Sequence, residues 1–123
     1  WLKGQHVATA LVTSSNHKKM ENVYRCHPGF QEMFEEILTA EDFAASKPSP
    51  DCYLKAAKRF GLSPDDCVGF EDSFNGLKSL KAAHMKVVGL ATTNSPESIS
   101  ALADFIIKDY TNLDVLISRL RKW

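Results

Sequence analysis

The sequence predicts an α/β domain built on a parallel sheet with helices covering both faces. Two observations lead there. Strand-like and helix-like segments alternate along all 123 residues. The strand-like segments are also short and almost wholly apolar, the pattern of strands buried on both sides. Turn and cap residues separate the segments at the expected places.

In chain order, Val7 to Thr13 is β-branched and apolar and reads as the first strand. Asn16 to Cys26 carries Met20, Val23 and Tyr24 at helical spacing. A Pro28-Gly29 break and one short helical turn lead to a second strand, Glu36 to Thr39. Ser49-Pro50-Asp51 then opens a helix, with Ser as cap, Pro at the first position and an acid beside the helix dipole. Cys52, Tyr53, Ala56, Ala57 and Phe60 share one face of it, and Gly61 ends it.

Cys67 to Phe70 is a third strand running into Glu71-Asp72. A helix over Ser73 to Ala83 is expected to bury Phe74, Leu77 and Leu80. Lys86 to Ala91 forms a fourth strand, Ser95-Pro96-Glu97 caps another helix, and Phe105 to Ile107 is a brief fifth strand. Thr111 and Asp114 suggest a capping box for a last helix with Leu113, Leu116, Ile117, Leu120 and Trp123 along its buried stripe. No repeat, low-complexity tract or linker divides the chain, so residues 1–123 read as one domain, long enough to bury a core without staples.

Composition removes several classes of function. Hydrophobic residues are 44% and charged residues 24%, a globular balance. Lys plus Arg and Asp plus Glu each number 15, so no net charge draws the chain to nucleic acid or to an anionic membrane. Apolar runs are only a few residues long, against the roughly 20 that a membrane span needs. No apolar run follows a basic start, so no signal peptide is expected. Cys26, Cys52 and Cys67 lack the number and spacing of a disulfide framework or zinc site. They are expected to be small buried hydrophobes in a reducing compartment, the cytoplasm.

In a parallel sheet, ligands bind at the carboxyl ends of the strands. Three groups of polar residues stand there. Thr13, Ser14 and Ser15 offer hydroxyls and the first amides of a helix, which suit a phosphate oxygen or serve as an ordinary helix cap. Lys47, before Pro48, is a point charge on a restricted backbone, able to neutralise a phosphate or to stand as a solvated loop lysine. Glu71 and Asp72 end an apolar strand where a helix begins. One acid would suit the helix dipole, whereas two suit a hard cation such as Mg²⁺. The histidines make no metal-binding pair, and the basic residues Arg119, Arg121 and Lys122 lie on the polar side of the last helix.

Together these strings resemble the haloacid dehalogenase superfamily, and within it the β-phosphoglucomutase-like phosphatases. Ala10-Leu11-Val12-Thr13-Ser14-Ser15 is similar to the second family motif, which implies that Thr13 hydrogen-bonds the transferring phosphoryl group. Ser46-Lys47-Pro48-Ser49-Pro50-Asp51 is similar to the third, which implies that Lys47 neutralises charge on that group and on the nucleophile. Gly69-Phe70-Glu71-Asp72-Ser73, with Gly76, is similar to the fourth, which implies that the acids hold Mg²⁺. The resemblance implies a three-layer α/β/α Rossmann-like core and covers nearly the whole chain.

The family's nucleophile is an aspartate in an Asp-x-Asp-Gly motif on a strand lying between the strands that end at Thr13 and Asp72. None of the eight Asp residues here has another Asp two positions later. The chain begins with Trp1 rather than Met, and the resemblance implies the C-terminal part of a longer phosphohydrolase, without nucleophile strand or cap domain. The two flanking strands would then lose a shared neighbour and close up, pair with the N-terminal segment or promote self-association. His84 stands where relatives usually carry Gly, which suggests a helix end without the left-handed glycine, a matter of stability more than chemistry.

The function implied is a Mg²⁺-dependent phosphatase for a small phosphorylated metabolite, a sugar phosphate foremost, with this chain alone inactive. A phosphomutase of the β-phosphoglucomutase type is the nearer alternative. The stretch after Thr13 lacks the Lys that mutase relatives carry there. A non-catalytic phosphate-binding or assembly module is the alternative from another class. A receiver domain fits less well, because its acid pair precedes its lysine and here the order is reversed.

Overall fold

The computed structural model describes all residues from Trp1 to Trp123. Five strands alternate with helices: β1 (Ala10–Val12), α1 (His17–Cys26), β2 (Glu36–Leu38), α2 (Asp51–Arg59), β3 (Val68–Glu71), α3 (Phe74–Ala82), β4 (Lys86–Leu90), α4 (Pro96–Ile99), β5 (Phe105–Ile107) and α5 (Leu113–Lys122). All pairings are parallel, as the apolar strands imply. No helix is long and apolar enough to cross a membrane.

The strands form two sheets rather than one. β1 pairs with β2, and β3, β4 and β5 form a second sheet with β4 at its centre. β1 and β3 do not pair with each other, so of the outcomes expected for the two flanking strands, closing up is not the one adopted. The alternation of side chains along the second sheet sorts its two faces. Val87 and Ile106 pack with Cys52, Tyr53, Ala57, Leu77 and Leu80 from α2 and α3. Val88, Leu90, Phe105 and Ile107 pack with Leu116, Leu120 and Trp123 on the other side, beneath α5. Helix α2 also reaches the first sheet, where Arg59 pairs with Glu36 at 3.2 Å and Asp42 at 3.3 Å.

Several local expectations need correction. The first strand is three residues: the Val7 amide turns back to Leu2 O at 3.1 Å, and the ladder to β2 begins only at Ala10. The second ends at Leu38, since Thr39 caps the next turn in a box with Asp42. Helix α2 has Pro50 as its cap, while the Ser49 hydroxyl accepts from the Asp51 amide at 3.3 Å. Helix α4 lasts four residues before tightening into a 3-10 turn at Ser100–Leu102.

The capping box proposed for α5 does not form. The Thr111 amide and hydroxyl bond Asp109 instead, and Asn112 is the cap residue without a side-chain bond. Phe74, at the first position of α3, is 41% exposed, and Leu113 is 46% exposed at the start of α5. First-turn residues of a helix escape the stripe when nothing packs over the helix end. Of the cysteines only Cys52 is buried; Cys26 is exposed and Cys67 half-buried.

At His84 the helix end lacks glycine but keeps the left-handed conformation. Helix α3 does end in a left-handed residue, and that residue is His84 itself, at φ 62°. The His84 amide bonds Lys81 O and the Met85 amide bonds Leu80 O, closing a Schellman motif. Helix α2 closes in the same way, with Gly61 at φ 67°, its amide on Lys58 O and the Leu62 amide on Ala57 O.

Candidate active site

The strand ends bring the polar residues together at one edge. Thr13 continues the β1–β2 ladder by donating its amide to Leu38 O at 3.0 Å. Its hydroxyl accepts from the Ser15 amide at 3.1 Å, which folds the turn into α1. The first amides of α1 are partly committed within the chain. His17 N–H donates to the Glu41 carboxylate at 3.1 and 3.2 Å, and Lys19 N–H donates to Asn16 Oδ1 at 2.9 Å. Ser14 stands exposed beside them. The backbone bond at the Glu41 carboxylate holds it below the ordinary 4.5, and the Thr39 amide does the same for Asp42 below 3.8.

Lys47 is presented by a loop tied down at three points. The Asp51 carboxylate accepts from the Ala44 and Ala45 amides at 2.7 and 3.2 Å. Ser49 N–H donates to Ser46 O at 3.0 Å, and the buried Ser79 hydroxyl of α3 donates to Ser49 O at 2.5 Å. The Lys47–Pro48 peptide is cis. From this loop the Lys47 ammonium donates to Val12 O at 3.3 Å and to Glu71 Oε1 at 2.5 Å. It therefore spans the carboxyl ends of β1 and β3, the two strands that do not pair. Its side chain is 13% exposed and that of Glu71 10%.

Glu71 carries further contacts. The Tyr53 hydroxyl, from the first turn of α2, donates to the same Oε1. The Tyr53 ring centroid lies 5.1 Å from the Lys47 ammonium. Burial first, then the Glu71 carboxylate, pushes the Tyr53 phenol far above its ordinary 10, so it stays a donor. On its other side Glu71 rests on Gly76. A Cβ there would come within 2.1 Å of Glu71 Oε2, so only glycine allows the carboxylate to lie against α3.

Asp72 takes a different setting. Thr93 Oγ1, in the loop after β4, donates to its Oδ2 at 2.7 Å, and Asn94 Nδ2 donates to its backbone oxygen at 3.2 Å. Tyr110, beyond β5, lies with its ring tilted 40° to that of Phe70, centroids 6.3 Å apart; burial and then the charges of Asp72 and Glu71 raise its phenol above 10.

Lys47 and Glu71 are thus in direct contact, Thr13 and Asp72 stand at the ends of the strands they join, and Ser14 lies outside the hydrogen-bonded cluster. No group of three or more His, Cys, Asp or Glu converges on a single metal-sized position. The carboxylates Glu71 and Asp72 are hard oxygen donors of the kind Mg²⁺ takes one or two at a time, completing its shell with water and phosphate. That chemistry fits, with the Asp72 carboxylate carrying a single neutral donor and Glu71 already paired with an ammonium.

Tyr53, Thr93 and Asn94 join the site only in the folded chain. Periodicity places Tyr53 on an apolar face, yet a buried tyrosine hydroxyl requires a partner. Thr93 and Asn94 follow the fourth strand, where the rule of strand ends also pointed.

The chain, a parallel α/β fold with a threonine, a lysine and an acid pair at its strand ends, belongs to the haloacid dehalogenase-like hydrolases. The family model matches residues 1–84. Among curated proteins, the bifunctional riboflavin kinase/FMN phosphatase of Arabidopsis thaliana is 35% identical over 122 residues, 99% of this chain and 31% of that protein. Hexitol phosphatase B of Escherichia coli K12 is 32% identical over 114 residues, 90% of this chain and 50% of that protein. Among solved structures, CbbY of Rhodobacter sphaeroides in complex with phosphate is 28% identical with a TM-score of 0.78, over 91% of this chain and 51% of that one. The β-phosphoglucomutase of Clostridium difficile, at 24% identity and a TM-score of 0.81, covers 98% of this chain and 52% of its own and shows the shared fold. The chain spans a third to a half of the length of these relatives.

Proposed function

We propose that these residues form the phosphoryl-binding part of a Mg²⁺-dependent phosphatase for a small phosphorylated metabolite of the sugar-phosphate class. One observation carries the reading. The Lys47 ammonium bridges Val12 O and Glu71 at the carboxyl ends of β1 and β3. An anion bound there meets a lysine already oriented, with Thr13 on one side and Asp72 on the other. The names of the relatives support the substrate class, since FMN and hexitol phosphates are both phosphate monoesters.

In this reading the nucleophile is an aspartate outside these 123 residues, on a strand lying between β1 and β3. Its carboxylate oxygen forms a bond to phosphorus as the ester P–O bond breaks, and the leaving alkoxide takes a proton. Water then attacks phosphorus, releasing inorganic phosphate and the free carboxylate. Lys47 offsets the negative charge gathering on the phosphoryl oxygens, and Thr13 donates its hydroxyl to one of them. Asp72, with Glu71 beside it, would hold Mg²⁺, which supplies further charge neutralisation when bound.

The test is hydrolysis of p-nitrophenyl phosphate by the native-length protein, with Mg²⁺ and with a chelator. Metal-dependent turnover is expected. A folded protein that binds Mg²⁺ and phosphate without turnover would replace this reading with a binding or assembly role. Transfer of phosphate between positions of one sugar, with no net release, would make it a mutase.

A further inference from the structure

Tyr53 is 7% exposed and lies in the first turn of α2, on the face that packs into the core. The other buried residues of that helix are Cys52, Ala56 and Ala57, none of which carries a hydroxyl. Packing at this place asks only for a ring. The hydroxyl is an addition that a buried site tolerates only with a partner, and its partner is the oxygen of Glu71 that also accepts from Lys47.

We propose that Tyr53 is a positioning residue for the Lys47 ammonium, acting through Glu71. It meets the ion pair twice, with its hydroxyl on the carboxylate and its ring face 5.1 Å from the ammonium. A carboxylate held by a lysine alone turns about its terminal bond, and the ammonium on its long stem follows. Here Oε1 is anchored to a phenol rooted in a helix, while Oε2 is pressed against Gly76. Glu71 is left with one orientation. An ammonium has three donors. Val12 O and Glu71 Oε1 take two, which aims the third at whatever anion enters the strand edge. The anion's identity as a phosphoryl group rests on the phosphatase reading.

The experiment uses the native-length protein, labelled with ¹⁵N and observed at the lysine ammonium groups, with the Lys47 signal assigned by its loss in Lys47→Arg. Tyr53→Phe keeps the ring and removes the hydroxyl. The Lys47 ammonium is expected to lose order in this variant, and inorganic phosphate to bind roughly tenfold more weakly, the scale of one charge-assisted hydrogen bond. An unchanged Lys47 signal in a folded Tyr53→Phe chain would overturn the proposal and leave Tyr53 a packing residue, whatever the urea midpoint does. Should Tyr53→Phe fail to fold, Glu71→Gln decides. It must disorder the same signal, and an ordered Lys47 there overturns the proposal equally. If wild-type chain shows an ordered Lys47 but binds no phosphate, the phosphatase reading loses support, while the Lys47 signal in the variant still decides the role of Tyr53.

Discussion

Two helices of this chain end in the same hydrogen-bonded motif with different residues at its left-handed position, and exchanging them tests the backbone argument directly. At the end of α2 that residue is Gly61, φ 67°; at the end of α3 it is His84, φ 62°. A left-handed backbone costs an L-residue about 1–2 kcal/mol, and histidine lies toward the tolerant end. Glycine avoids that strain but loses more freedom on folding, an opposing term of about 0.4–1 kcal/mol. The His84 side chain is exposed and makes no hydrogen bond, so its removal should forfeit little else. His84→Gly should therefore stabilise the chain by about 0.5 kcal/mol, the low end of the strain less the smaller entropy term. Gly61→Ala should destabilise it by a similar amount, since a Cβ there meets nothing within 4 Å and only strain is added. The assay is urea unfolding. With a slope of about 1–3 kcal/mol/M, the midpoints should move in opposite directions by roughly 0.2–0.5 M. A His84→Gly chain no more stable than wild type, at unchanged slope, would refute the reasoning.

Further predictions follow from the site. Gly76→Ala should cost about 1–3 kcal/mol through overpacking and should loosen Lys47, because the new methyl displaces the Glu71 carboxylate; urea unfolding and the Lys47 ammonium signal check both parts. Lys47→Ala in the native-length protein should lower turnover by a factor of about 10²–10³ while Mg²⁺ binding persists. Near-normal steady-state rates would remove Lys47 from the chemistry. Asp42 has a folded-state pKa below its ordinary 3.8, so the unfolded chain binds the extra proton and the stabilisation is present above about pH 4 and lost as pH falls through the lowered value. Asp42→Asn should flatten the acid limb of the stability–pH curve, and an unaltered limb would contradict the assignment. With β1 and β3 unpaired, the isolated chain should associate as concentration rises; monomeric sedimentation at all concentrations would oppose this.

Much of the fold was legible because it is locally encoded. Ser73 and Ser95 cap helices within three residues of themselves, Gly61 ends a helix through its own backbone, and the apolar runs at Val87–Val88 and Phe105–Ile107 mark buried strands whatever their partners. The location of the site was legible for a related reason, since parallel strands present their carboxyl ends on one side and Thr13, Lys47, Glu71 and Asp72 follow such ends or the loops beside them. Tertiary structure alone decided the rest. Strand pairing between β1 and β2, and its absence between β1 and β3, depends on backbone groups far apart in the chain. The bonds from Lys47 to Val12 O and Glu71, from Tyr53 to Glu71 and from Thr93 to Asp72 join residues 18 to 35 positions apart. Phe74 and Leu113 fit an apolar stripe, yet they lie exposed because burial depends on what packs over the helix end. Periodicity and capping act within a turn or two of chain. The partner of a buried hydroxyl or ammonium is whichever group the packed elements bring within 3 Å or so, and only the folded chain determines that.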